Sequence, residues 1–287
     1  MSDDMLRLAH AGLAPSRIDR LVESWGSPTA VVDGIESGRI TVADGIRAAV
    51  GVSAEVRRTA LETIGATWVT RNDDAYPAKL GAHLHAPRWL FRRGETSAAP
   101  ALAIVGTRTC TAYGIDLAMA YGAAAAEMGW TVVSGLARGI DRAGHVGALG
   151  ASGHATAVLG SGIDVVYPRS NRDIHDQILE SGGAVVSEFP PGTRPDGWRF
   201  PTRNRIIVGM SDIVLVVEAG ETGGALITAG IALDWGVPVY ATPADVDRPA
   251  SAGTNGLIRD GAFPVFDADD LRDVLGLVAP IVRAGAA

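Results

Sequence analysis

A chain of 287 residues that is 47% hydrophobic and 20% charged can bury one large core, or a medium core and a small one, and is not disordered as a whole. The net charge of −7 argues against a uniformly basic nucleic-acid module, although a cleft needs only local positive potential. No run approaches the ~18 apolar residues of a membrane helix. The acidic start MSDDMLRLAH lacks the basic and apolar regions of a signal peptide, and a lone Cys110 excludes an internal disulfide and a cysteine-based zinc site, so a cytoplasmic protein without a membrane partner is expected.

The first third reads as short helices. Leu6, Leu8, Leu13, Ile18, Leu21 and Val22 recur on one face, and breaks fall at Gly12–Pro15 and Gly26–Pro28. Helices through Ala30–Ile35, Val42–Val50 and Val56–Ile64 complete a small bundle over residues 1–64. Such a bundle serves first as a packing or docking module, and a helix-hairpin-helix-like phosphate contact is the weaker alternative. From residue 65 the texture becomes β-like, with Ala66–Thr70 and then Pro87–Gly94 as strand segments separated by Tyr76-Pro77.

Beyond residue 100, strand and helix alternate. Apolar runs suited to buried parallel strands lie at Ala101–Val105, Thr131–Ser134, Thr156–Leu159, Ala184–Ser187, Ile213–Val217 and Val237–Ala241. Helical segments are expected over Tyr113–Met128, Asp141–Leu149, Asn171–Leu179, Arg203–Met210, Gly223–Trp235 and Asp269–Val278. The fold class is therefore α/β, a parallel sheet with helices on both faces, preceded by a small helical domain.

Ligands of such sheets sit outside the carboxyl ends of the strands. Glycine-rich loops follow nearly every strand here: Gly106-Thr107-Arg108, Gly135–Asp141, Gly160-Ser161-Gly162 and Glu218–Gly224. Glycines let a backbone approach a ligand, and the amides opening each following helix favour an anion. Neither the dinucleotide pattern G-x-G-x-x-G nor G-x-x-x-x-G-K-[ST] is present, so ATP hydrolysis has no support. The segment Arg194–Arg205 carries four arginines against Asp196, with Trp198 and Phe200 interleaved, a composition suited to phosphates and unpaired bases. Read otherwise, it is a solvated loop with Phe200 in the core.

Catalytic patterns are weak. Ser134, Ser161 and Ser187 lack a G-x-S-x-G context. Glu188 and Glu218 could form a carboxylate pair, but strand-end carboxylates more often cap amides or bind arginines. His83 and His85 have no third metal ligand in view, and His145, His154 and Cys110 read as structural.

The loops taken in order, Ile104–Arg108, Ser134-Gly135-Leu136-Ala137-Arg138-Gly139-Ile140-Asp141, Tyr167-Pro168, Ser187-Glu188, Phe200-Pro201-Thr202-Arg203-Asn204-Arg205, Val217–Ala219 and Gly253–Asn255, resemble the DNA-processing protein A (DprA/Smf) family. The resemblance implies an extended Rossmann-like domain over 65–287, with residues 1–64 as a SAM-like or helix-hairpin-helix-like domain. It further implies a non-catalytic, cofactor-free and metal-free homodimer that binds and protects single-stranded DNA and loads the RecA recombinase in natural transformation. Residues matching the DNA site are Thr107, Arg108, Ser134, Gly135, Arg138, Gly139, Arg169, Arg199, Phe200, Arg203, Asn204 and Arg205. The chain departs from the family pattern at Gly144, Gly224 and Ala244, and no winged helix is expected after Asp269–Val278. Two other readings stand beside this one, a nucleotide phosphoribohydrolase and a nucleotide-sensing module. The phosphoribohydrolase motif is interrupted at Thr222–Leu226.

Overall fold

The computed structural model describes residues 3–285. Five helices come first: α1 (Asp3–Ala9), α2 (Pro15–Trp25), α3 (Pro28–Glu36), α4 (Asp44–Gly51) and α5 (Ala54–Thr63). Their ends follow local chemistry. Prolines open α2 and α3, where a missing N–H costs nothing. The Ser27 and Ser53 hydroxyls accept from the Ala30 and Val56 amides. Gly26 closes α2 at φ 83°, the left-handed conformation glycine adopts freely.

The sheet contains β1 (Thr67–Thr70), β2 (Trp89–Gly94), β3 (Ala101–Val105), β4 (Thr131–Ser134), β5 (Ala155–Leu159), β6 (Ala184–Ser187), β7 (Ile213–Val216), β8 (Val239–Ala241) and β9 (Phe263–Pro264). The helices after the first five are α6 (Ala78–Gly81), α7 (Ala112–Glu127), α8 (Ile140–Gly150), α9 (Arg172–Glu180), α10 (Arg199–Gly209), α11 (Gly224–Asp234), α12 (Ala252–Arg259) and α13 (Ala268–Gly285). No described helix is long and apolar enough to cross a membrane.

Strand order is β1-β2-β6-β5-β4-β3-β7-β8-β9. From β6 to β9 all pairs are parallel, while β1 and β2 add an antiparallel edge. The sheet is therefore mixed where a parallel one was expected. The stretches β3 and β7, wholly apolar, and β5, apolar but for Thr156, are buried on both faces. On one face Ala155, Ala157, Leu159 and Val185 join Trp89, Phe91, Ile174 and the buried residues of α1–α5 in a continuous core. On the other, Val158, Val186 and Val214 pack under α10 and α11. A third core lies under α7, α8 and α13.

Connections run from β3 toward β6 on one side and return to β7 on the other side of β3. The strand order thus reverses between β3 and β7, and a crevice opens outside their carboxyl ends.

The helical reading of 203–210 is corrected at its start. The α10 helix begins at Arg199, four residues early, with Pro201 inside its first turn. Proline is tolerated there because first-turn amides have no intrahelical acceptor.

Candidate functional site

The crevice is a cleft of about 830 Å³. Its walls come from the loop after β3 (Gly106–Thr109), the loop after β7 (Ala219–Gly224), the first turn of α11, and one stripe of α10. That stripe is Phe200, Arg203, Asn204 and Ile207, spaced i, i+3, i+4 and i+7.

The loop after β3 is held close to its neighbours by backbone geometry. A Cβ on Gly106 would stand 2.5 Å from Ile140 Cγ1 and 2.9 Å from the Glu218 carbonyl oxygen. The Thr107 amide donates to that carbonyl at 2.8 Å. Buried Glu218 then accepts from the Thr111 amide at 3.0 Å and hydroxyl at 3.2 Å, while Thr111 caps α7 through the Gly114 amide. A loop fixed in this way presents Arg108 outward. Its guanidinium carbon lies 4.9 Å from the Phe200 ring centre, a cation–π contact at the cleft mouth. Tyr167 approaches the same ring, 5.6 Å between centres. Phe200 itself is half-buried.

Arg203 lies beneath this layer and is 3% exposed. It donates to the Val158 carbonyl oxygen and lies against Gly135, where any Cβ would collide with its guanidinium. Facing it is Asp141, on the first turn of α8, whose Oδ2 accepts from the Gly135 and Ala137 amides at 3.1 and 3.3 Å. Burial pushes the Asp141 carboxyl up, and Arg203 and the two amides pull it back. Burial lowers Arg203 to about 10, so it remains a cation at neutral pH.

Fixed charges within the walls balance, with Arg108 and Arg203 against Asp141 and Asp196. Because Arg203 is answered by Asp141, the positive potential available to a ligand comes from two sources. One is exposed Arg108. The other is the start of α11, where Gly223 makes no side-chain cap and Gly223, Gly224 and Ala225 open into the cleft.

The twelve sequence-selected residues therefore separate. Thr107, Arg108, Phe200, Arg203 and Asn204 line the cleft. Gly135 and Gly139 shape it from behind. Arg138 and Arg169 are exposed outside its walls. Ser134 is sealed inside and donates to the Ile104 carbonyl at 2.6 Å, so its hydroxyl faces no ligand. Arg199 stacks on Phe189 and Trp198, 5.4 and 4.7 Å from their ring centres. Arg205 turns away altogether and pairs with buried Glu188 at 2.7 Å. The convergence of Arg205 with Arg108 and Arg203 is thereby corrected, because residues two apart on a helix point about 200° apart. Asp141, Tyr167 and the Thr222–Gly224 loop, which lie in segments named from the sequence but outside the twelve residues, complete the walls. Their position just after strands was the available signal.

Glu188 and Glu218 serve separate partners, Arg205 and Thr111, and do not act as a carboxylate pair. His83 stacks on Trp235 at 4.5 Å. Burial, together with nearby Glu218, pushes the Cys110 thiol up.

Gly139 makes the arrangement testable. At φ 78°, ψ −128° it occupies a conformation that side chains disfavour, and a Cβ would stand 2.4 Å from the Thr107 carbonyl oxygen. Gly139→Ala should cost on the order of 2 kcal/mol, measured by urea denaturation, and displace Thr107 and Arg108. A variant as stable as the parent would refute this view of the loop.

The model of the DNA recombination-mediator protein A family matches residues 67–276. Protein Smf of Escherichia coli is 36% identical over 275 residues, covering 95% of this chain and 71% of that protein. DNA processing protein DprA of Bacillus subtilis is 38% identical over 203 residues, covering 70% and 68%. Among solved structures, DprA from Streptococcus pneumoniae superposes with a TM-score of 0.73 at 30% identity, covering 94% of this chain and 97% of that one. The Helicobacter pylori DNA processing protein A, described for its single-stranded DNA binding mode, shares the fold at TM-score 0.66 and 24% identity, covering 73% of this chain and 95% of that one. With the model match spanning most of the sheet and its helices, this chain belongs to the DNA recombination-mediator protein A family, the DprA/Smf proteins.

Proposed function

We propose that the cleft grips a segment of single-stranded DNA without cleaving it, and that the protein passes this strand to a RecA-type recombinase during transformation and recombination. The observation that carries the proposal is the Arg108 guanidinium set over the Phe200 ring beside the uncapped start of α11. A cation and free amides suit phosphates, and an aromatic face suits an unpaired base. Thr107, Asn204 and the Gly135–Gly139 loop shape the path, and Arg138 and Arg169 hold phosphates outside the cleft. The protein acts in the cytoplasm as a homodimer, needing neither cofactor nor metal. Residues 1–64 form its small helical domain and 65–287 its DNA-binding domain.

Fluorescence anisotropy with oligo-dT of several lengths, single- and double-stranded, tests this between 50 and 200 mM salt. Binding should favour the single strand and weaken steadily as salt rises. Arg108→Ala should lose roughly tenfold in affinity and lower the salt slope by roughly 0.7, with little change in thermal stability because Arg108 is exposed. Salt-independent binding, or release of a free base from a mononucleotide, would overturn the proposal.

A further inference from the structure

A second cleft, of about 710 Å³, opens on the opposite side of α10. Where Phe200, Arg203, Asn204 and Ile207 face the first cleft, Trp198, Thr202 and Arg205, spaced i, i+4 and i+7, face this one. Its far walls are α2, with Asp19 and Glu23, and the segments carrying Arg71 and Arg88.

The charges here answer one another. Arg88 Nε contacts Asp19 at 2.6 Å and its Nη2 lies 3.5 Å from Glu23. Arg205 is paired with Glu188. Arg71 donates to the Pro87 and Leu84 carbonyl oxygens, both at 3.2 Å. Two of the three arginines thus meet carboxylates and the third is held by carbonyl oxygens, and with buried Glu188 behind the wall the formal charges sum to zero, so a phosphate finds little net attraction. What the cleft does offer is the wide apolar surface of Trp198, 43% exposed, with guanidinium planes and carboxylate acceptors around it. That set suits a neutral flat group with polar edges. A nucleobase fits it, because aromatic and guanidinium surfaces stack on a base and carboxylates accept from its amino groups.

Trp198 and Phe200 stand two residues apart, at most about 7 Å between Cα atoms. The two clefts flank the start of α10, the first lined by Asp196, Gly197 and Phe200 and the second by Trp198, so a strand passing over this end of the helix runs from one into the other. We infer that the second cleft is a base-stacking subsite for the same single strand, with Trp198 as its platform. This inference rests on the single-strand reading of the first cleft.

Anisotropy with oligonucleotides of 6 and 20 nucleotides, mixed in sequence, tests it on the full chain. In the parent protein the 20-mer should bind more tightly than the 6-mer. Trp198→Ala should shrink that gain at least about fivefold, and Trp198→Phe should restore most of it. Retention of the full gain by Trp198→Ala overturns the subsite while leaving the first cleft's role intact. Failure of the parent to bind either length overturns both readings. Quenching of Trp198 fluorescence, measured as the difference from Trp198→Phe, should follow the 20-mer. If free dCMP quenches it as strongly as the 20-mer, the cleft is a small-ligand site and the strand assignment fails.

Discussion

Asp141→Ala should destabilise the protein by about 2–4 kcal/mol, chiefly because it strips two amides beneath the cleft of their acceptor. The carboxylate does two things at once. It offsets the cation of Arg203, only 3% exposed, and it accepts from the Gly135 and Ala137 amides. Alanine leaves a guanidinium in a low-dielectric interior with the Val158 carbonyl as its acceptor, and it strips two amides of theirs. For a chain of this size the loss corresponds to a fall in Tm of roughly 10 °C. Part of the effect is the loss of a carboxylate charge near buried Arg203. Arg203→Met in the Asp141→Ala background should therefore recover part of the loss, with a coupling of about 1–3 kcal/mol in the double-mutant cycle. A melting curve for Asp141→Ala within 2 °C of the parent would show that Arg203 is satisfied some other way.

The strands were legible because strands buried on both faces leave nearly continuous apolar runs. Ala101–Val105 and Ala184–Ser187 read from the sequence are β3 and β6 in the structure. Glycine-rich strand ends likewise placed the crevice, since its location follows from topology. Three features were not legible. The antiparallel β1 and β2 were seen as strands, but the pairing of β2 with β6 depends on partners 90 or more residues away in the chain. The start of α10 was hidden by Pro201 and Gly197, which read as loop residues until the first-turn exemption of proline is considered. That shift of four residues decided the site. Arg203 and Arg205 already lay within one expected helix, and the earlier start sets Phe200 on the same stripe as Arg203. On a helix, Arg203 and Arg205 are committed to opposite clefts. Lastly, spacing registers the charge of Arg203 but not its burial or the nearby Asp141 carboxylate, and so overstates the cleft's positive potential.

The stability that His145 contributes should be lost as pH drops below about 6.5. Its imidazole, on α8, is fully buried, and neither ring nitrogen has a hydrogen-bond partner among the described residues. Burial lowers it to about 3, with the cation of Arg203 adding to the effect. His10 on the helical side is lowered to about 4, chiefly by burial, against a hydrogen bond to the Leu6 carbonyl. A base whose folded pKa is depressed contributes full stability above its unfolded pKa, here 6.5. That stability is lost as pH falls toward the folded value, because only the unfolded chain takes up the proton. Asp141 and Glu188, both pushed up by burial, work in the opposite sense, so the total slope mixes signs. His145→Leu isolates one group. Leucine fills similar space in a helix without a polar atom to leave unsatisfied, so the variant should be at least as stable as the parent at neutral pH. Between pH 7 and pH 5 its loss of stability in urea titrations should be roughly 2 kcal/mol smaller than the parent's. Identical slopes for the two proteins would mean that the folded state accepts a proton at His145 as readily as the unfolded chain does.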